Sequence, residues 1–415
     1  MKRLFVVCMA LLAIIPCGCA LGPKAVEATH GRYAEALLRV DEEQLLRNIV
    51  RLRYSESPRN IDVSNIAAQY EMNYSGGYNP FFSTESVGGA LQTSTATLPS
   101  FSIGGSNRPT ITYRPDDDGM AIRRLLTPAN TETLLYFIQS GWQLSTVLRL
   151  WVDQLNGVPN GTRISGPGAG QIVDSGRFNR AVDLLQAAAD AQMIVTKFEK
   201  RYEEIGGGIP KESITAAANI EAVKNGLEYA PRGDGRLWGL VRPERQIVLE
   251  IVPGTEKHPI FTELSSILNL KPGLSRYEID TVKNGVTDPA VRSSEPAKVL
   301  KWNTRSPLQV YYFLTNAVAV PPEHLAAGLV PKTAQEDSNP QLTAGLLQVQ
   351  SCCGKKRPEN AYIAIEYRGY WYYIVDSDLT SKTTFMLMLQ MWRLDLKRDI
   401  PGGGGAPALT LTVGR

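Results

Sequence analysis

The sequence predicts an α+β fold: a helical N-terminal half with an inserted long β-hairpin, then a C-terminal half of antiparallel strands mixed with helices. Three observations carry this expectation. Apolar residues recur at helical spacing around residues 41–54 and 131–155. Residues 61–113 alternate with a period of two instead. Beyond Gly226, strand-like runs alternate with helix-like ones and are joined by short turns, which favours an antiparallel arrangement over a parallel βαβ sheet.

Taken in order, the chain opens on Met1-Lys2-Arg3, a short basic stretch, and an unbroken apolar run from Leu4 to Ile15. A spanning helix needs roughly 20 apolar residues, so this run is too short to be one. With "PCGCALGP" behind it, the segment has the layout of an export leader. The small residue Gly18 precedes Cys19, whereas Pro16 precedes Cys17. Cys19 is therefore the expected site of lipidation and the new N-terminus, although Pro16 stands where a lipobox usually has a branched aliphatic residue. Cleavage near Ala20 by an ordinary secretory route is the alternative, leaving a periplasmic protein. Acyl chains hold a protein by burying methylenes at about 0.8 kcal/mol each, and one chain alone is marginal. A diacylglycerol plus an N-acyl group on Cys19 exceeds that threshold.

Residues 30–54 read as a helix, with Asp41 as a candidate cap, Gln44 three residues on, and an apolar stripe of Leu45, Leu46, Ile49, Val50 and Leu52. Residues 61–113 then read as extended strands. Ile66, Ala68, Tyr70, Met72 and Tyr74 share one side, and Leu91, the threonines, Phe101 and Ile103 fall together on odd positions. Strands of about 9–11 residues with one apolar side are what a membrane hairpin requires, and a ring of copies would be needed to pair its edges. A surface hairpin packed on the body is the plainer reading. Asp116-Asp117-Asp118 lacks the ligand spacing of a calcium loop and reads as first-turn acids of a helix.

Helices are expected at 131–139, capped by Asn130 or Thr131, in the next run with Ser145 as a candidate cap and Asn156-Gly157 as its end, and from 175 through to Glu204. Gly206-Gly207-Gly208 marks a boundary. After it come a helix ending at Gly226, strands in "LEYAPR", "RLWGLVRP" and "QIVLEIVPG", a helix in "HPIFTELSSILNL" and a strand in "RYEIDTV". Ser306-Pro307 opens another helix. "AYIAIEYRGYWYYIVDSDL" is a hairpin about Arg368-Gly369, followed by a helix capped by Ser381, and "ALTLTV" is a last strand. The expected division is thus 1–18 leader, 19–60 anchor and helix, 61–115 hairpin region, 116–205 helical region and 206–415 α+β domain.

Composition narrows the function. The 415 residues are 43% hydrophobic and 20% charged, ordinary for a core-forming protein of two or three domains. Loss of Lys2 and Arg3 with the leader lowers the net charge from +3 to +1, so nothing favours nucleic acid as a partner. Cys352 and Cys353 stand side by side, able either to close a strained vicinal disulfide or to stay reduced. No zinc spacing, H-E-x-x-H or G-x-S-x-G is present, so no metal ligand, cofactor or catalytic residue is assigned. His30, His258 and His324 read as structural. Tyr367, Tyr370, Trp371, Tyr372 and Tyr373 form an aromatic crowd suited to stacking on a glycan or peptide, or to covering a sheet.

The segments "EEQLLRNIVRLRY", "PTITYRPDDDGMAIRRLLTP", "IQSGW" and "IEYRGYWYYIVDSDLTSKTTF" resemble a family of uncharacterised bacterial outer-membrane lipoproteins. That resemblance implies the envelope address and lipidation at Cys19, and no activity. The expected function is a non-enzymatic, lipid-anchored module on the periplasmic side of the outer membrane, oligomeric through 61–113. Its partners would be membrane lipid through Cys19 and other envelope proteins or further copies of itself. A lipid-anchored hydrolase or glycan-binding enzyme, using the aromatic hairpin and Asp376-Ser377-Asp378, is the alternative.

Overall fold

The chain folds as α+β. A computed structural model describes residues 21–59, 61–67, 70–87, 90–107, 110–115, 119–161, 175–233, 235–281, 296–331 and 342–397. Cys19, Asp116-Asp117-Asp118 and the expected strand "ALTLTV" lie outside the described residues. Two compact units are present, one of residues 1–45 and 59–118, the other of 46–58 and 119–415.

Helix α1 (Leu21–Arg53), whose residues up to Leu45 belong to the first unit and the rest to the second, starts well before the expected His30. It runs straight through Asp41 and Gln44, which are therefore helix-interior residues and not a cap. The stripe Leu45, Leu46, Ile49, Val50 and Leu52 is buried, as its spacing requires. The chain then makes a long ribbon. Strand β1 (Ile61–Ala67) leads into β2 (Tyr70–Val87), and β3 (Ala90–Asn107) leads into β4 (Thr110–Pro115). The pairs β2–β3 and β1–β4 are antiparallel.

The second unit holds an eight-stranded sheet and a three-stranded one. Helices α2 (Gly119–Leu126), α3 (Thr131–Gln139) and α4 (Leu144–Trp151) come first. Asn130 caps α3 by accepting the Glu132 N–H at 2.9 Å. Helix α4 ends four residues earlier than its apolar pattern predicts, because Val152–Leu155 is a strand, β5, that turns at Asn156-Gly157 into β6 (Val158–Pro159). Both turn residues have positive φ, 47° and 78°, the geometry of a tight hairpin. Helix α5 (Gly176–Asp190) also ends early, and residues 194–204, expected as helix, form strand β7 (Ile194–Glu204). Gln192 at φ 54° stops the helix. The β-branched and aromatic residues Ile194, Val195, Thr196, Phe198 and Tyr202 then favour a strand.

Strand β8 (Ile209–Pro210), helix α6 (Ala216–Lys224) and strand β9 (Glu228–Arg232) follow. The two runs expected as separate strands are one, β10 (Leu237–Ile251), whose residues 241–251 pair with the whole of β7. Next come α7 (Pro259–Leu268), β11 (Arg276–Thr281), β12 (Val299–Thr304) and α8 (Pro307–Thr315). A reciprocal Ser306–Gln309 capping box opens α8. The larger sheet runs β6-β5-β12-β11-β10-β7, with β8 and β9 also on β10, and only β11–β12 is parallel. After α9 (Pro322–Ala326), strands β13 (Gln350–Cys353), β14 (Ala361–Tyr367) and β15 (Tyr370–Val375) form the smaller sheet, ordered β13-β15-β14. Helix α10 (Leu379–Lys397) is last. Asp378, not Ser381, is its cap: the Asp378 carboxylate accepts the Ser381 N–H at 3.0 Å and its hydroxyl at 2.6 Å.

One buried cation explains why α4 stops where it does. Arg305, 1% exposed, donates Nη1 to the carbonyls of Arg149 at 3.0 Å and Leu150 at 3.1 Å, and its own N–H to Trp151 at 2.7 Å. Those carbonyls would otherwise accept from residues 153–155 in a longer helix. Nη2 reaches the Asn160 carbonyl at 2.5 Å, and Asp153 stands 3.6 Å from Nε. The guanidinium also lies 4.1 Å over the Phe313 ring. Burial pushes its pKa down to about 10, so it stays cationic at neutral pH. Removing a buried, hydrogen-bonded charge costs about 3–5 kcal/mol. Arg305→Ala is expected to lose about that much in urea unfolding. Arg305→Lys should recover little, since an ammonium cannot reproduce the fork.

Candidate functional site

The ribbon carries the first candidate surface. Its register pairs Val87 with Ala90, Phe82 with Thr95, Tyr78 with Pro99 and Tyr70 with Asn107. Residues opposite each other in an antiparallel pair share a face, and alternate residues change face. One face therefore takes Tyr70, Met72, Tyr74, Tyr78, Pro80 and Phe82 from β2 with Thr95, Thr97, Pro99, Phe101 and Ile103 from β3. The other takes Asn73, Ser75, Asn79 and Ser83 with Gln92, Ser94, Ser100 and Ser102, interrupted by Phe81 and Leu98. The two charged residues of β2 and β3, Glu71 and Glu85, both fall on this second face. Val87, paired with Ala90, belongs to it too. On the β1–β4 pair, Ile61, Val63 and Ile66 share a face with Ile111 and Tyr113, while Asp62 stands opposite Arg114. Among the described residues, β2 and β3 pair only with each other, leaving two open edges.

The second candidate is a tyrosine cluster in the other unit, joining the segment after α1 to the three-stranded sheet. The Tyr54 hydroxyl lies 2.5 Å from that of Tyr372 and 2.6 Å from His324 Nδ1. Tyr367 packs on Tyr54 with ring centres 5.4 Å apart, and His324 on Tyr370 at 5.0 Å. Tyr370 donates to Glu323 at 2.8 Å. Arg368, in the hairpin turn, donates to Glu56 at 2.8 Å and lies 5.0 Å over Tyr54. Burial pushes the Tyr54 and Tyr372 hydroxyls above the ordinary phenol range, and their mutual hydrogen bond adds to the rise at Tyr372. Both phenols are neutral at pH 7. The cluster thus exchanges hydrogen bonds; it does not offer a phenolate nucleophile or base.

The predicted site residues divide accordingly. Tyr367, Tyr370 and Tyr372 enter this cluster. Trp371 and Tyr373 alternate onto the opposite face of β15, so the five aromatics do not make one stacking surface. Tyr373 is buried and donates to Gln350 at 3.0 Å. Cys352 and Cys353 are free thiols, not a vicinal disulfide. They are successive residues of β13, opposite Trp371 and Tyr370, and an extended strand sends neighbouring side chains to opposite faces. Asp376 binds Lys382 at 2.7 Å and Asp378 caps α10, which occupies both acids of the D-x-D. His258 caps α7, its Nδ1 accepting the Ile260 N–H at 3.3 Å. Among the described residues, no group of side chains fit to hold a metal ion occurs. Sequence reasoning missed Tyr54, Glu56, Glu323 and Arg368 as a group. Tyr54 lies 270 residues from His324 and 318 from Tyr372, and no local pattern spans that distance.

No protein-family model, curated protein or solved structure matches this chain. The likeness to envelope lipoproteins stands on the quoted segments alone.

Two outcomes follow from the cluster. Tyr54→Phe leaves the Tyr372 hydroxyl buried without its partner and is expected to cost about 1–3 kcal/mol in denaturant unfolding. Tyr54→Phe with Tyr372→Phe should cost less than the sum of the two. Hydrogen bonds from Tyr367 and Arg368 hold the Glu56 carboxyl below its usual range. Its contribution to stability is complete above the ordinary carboxyl pKa and disappears as pH falls through the lowered one. Glu56→Gln should therefore show a shallower acid-side fall in Tm than the wild type.

Proposed function

We propose that this chain is a lipid-anchored module of the bacterial outer membrane, on its periplasmic side, that works by association and not by catalysis. Its anchor is the acylated Cys19, and its association surface is the ribbon of residues 61–115. The observation that carries the reading is the segregation of the ribbon into a charge-free face and a polar one. Segregation of charge to one face is the pattern of a surface that meets a partner. Support also comes from the second unit, whose conspicuous polar groups are engaged with one another. Asp376, Asp378, His258 and His324 all have structural partners there, which weighs against the hydrolase alternative. Among the described residues, no helix is long and apolar enough to cross a membrane.

In this reading the acyl groups on Cys19 are the covalent additions, and membrane lipid and further copies of the chain are the partners. Cys19→Ser should remove the acyl mass by mass spectrometry. Unchanged mass would refute the anchor. The wild type extracted in mild detergent should sediment as an oligomer, and a monomer would refute association.

A further inference from the structure

We infer that the ribbon crosses the outer membrane, and that ribbons of several copies pair edge to edge to close a β-barrel. This rests on the module reading and names what its ribbon contacts: acyl chains on the charge-free face, a second copy at each edge. Length is the first support. The stretch from Tyr70 to Phe82 extends ~40 Å at ~3.3 Å per residue, and stands ~30 Å tall at the ~40° tilt of membrane barrels, against an apolar band of ~25 Å. Its register partners on β3 run from Thr95 to Asn107. No charged residue lies on that face between those limits.

The polar face supplies the second support. Asn73, Ser75, Asn79, Ser100 and Ser102 are small and hydrogen-bonding, suited to a water-filled lumen. Beyond Phe82 polar residues stand on both faces, Ser83, Thr84 and Glu85 opposite Ser94, Thr93 and Gln92, before Ser86 meets Leu91 and Val87 meets Ala90. This end would emerge on the far side of the membrane from the anchor.

The edges supply the third. A two-residue connection between Val87 and Ala90 makes odd positions of β2 the hydrogen-bonded pairs, so even positions turn their backbone groups outward. Pro80 and Pro99 both fall on outward positions, where a missing N–H leaves the internal ladder intact. Each costs one donor in an otherwise open row. Unpaired backbone is not tolerated in hydrocarbon, so insertion requires every edge to meet a neighbour. Two strands per copy and a smallest barrel of about eight strands set a minimum of about four copies.

The test uses the full-length acylated chain with Cys352→Ser and Cys353→Ser, carrying one added cysteine. A nitrobenzoxadiazole probe at Tyr78→Cys and, separately, Asn79→Cys reports the two faces in vesicles of phosphatidylcholine and phosphatidylglycerol. The inference predicts blue-shifted emission and quenching by doxyl-labelled lipid at 78, with neither at 79. Equal signals at both positions overturn it. Independently, Glu85→Cys should react with a membrane-impermeant maleimide on intact cells. Reaction only after permeabilisation also overturns it. Fractionation and cross-linked size of the same variants separate the two levels. Membrane-bound oligomers with equal probe signals defeat insertion and leave the module reading standing, whereas a soluble monomer defeats both.

Discussion

The pairing of Val87 with Ala90 sets the parity of every position along the ribbon. Side chains alternate with a period of two, so a slip of one residue moves a whole strand's set to the other face. With β3 displaced by one, Ser100 and Ser102 would join Tyr74 and Tyr78, and neither face would be free of strongly polar groups. The observed register instead stacks Ile103 opposite Tyr74 and Phe101 opposite Gly76, and assigns Glu71 and Glu85 to the opposite side. The functional reading depends on that one alignment.

The second unit is built on a different economy. Its internal polar groups are turned on each other: Arg305 on the last carbonyls of α4, Asn160 on Arg149 and Val152, Tyr54 on Tyr372 and His324. The segment between α1 and the ribbon is held to this body by the tyrosine cluster and by Glu56–Arg368. Additional ties run from Arg53 to the Pro331 carbonyl at 2.7 Å and from Arg47 to that of Glu366 at 3.3 Å. These internal contacts contrast with a ribbon whose edges, among the described residues, are open. The division of labour proposed here, a rigid body and an associating ribbon, follows from that contrast.

Much of this was legible in the sequence. Period two over 61–113, the Ser306-Pro307 start and the Arg368-Gly369 turn are local signals, and each element formed where its signal lies. The errors are equally physical. Residues 152–155 and 194–204 have apolar spacing compatible with a helix, and only pairing with β12 and β10, distant in sequence, makes them strands. Arg305 stops α4 across a separation of 155 residues, which no window reveals. The aromatic crowd at 367–373 was visible as composition. Its division between two faces, and its union with Tyr54 and His324, were decided by tertiary structure.

Backbone hydrogen exchange on the detergent-extracted particle tests the central claim most directly. If copies pair through both edges, the outward amides at even positions of β2, such as Tyr74, Tyr78 and Phe82, will be protected as strongly as the inward ones at odd positions. Fast exchange at even positions beside slow exchange at odd ones would mean a ribbon with free edges, and would contradict the account.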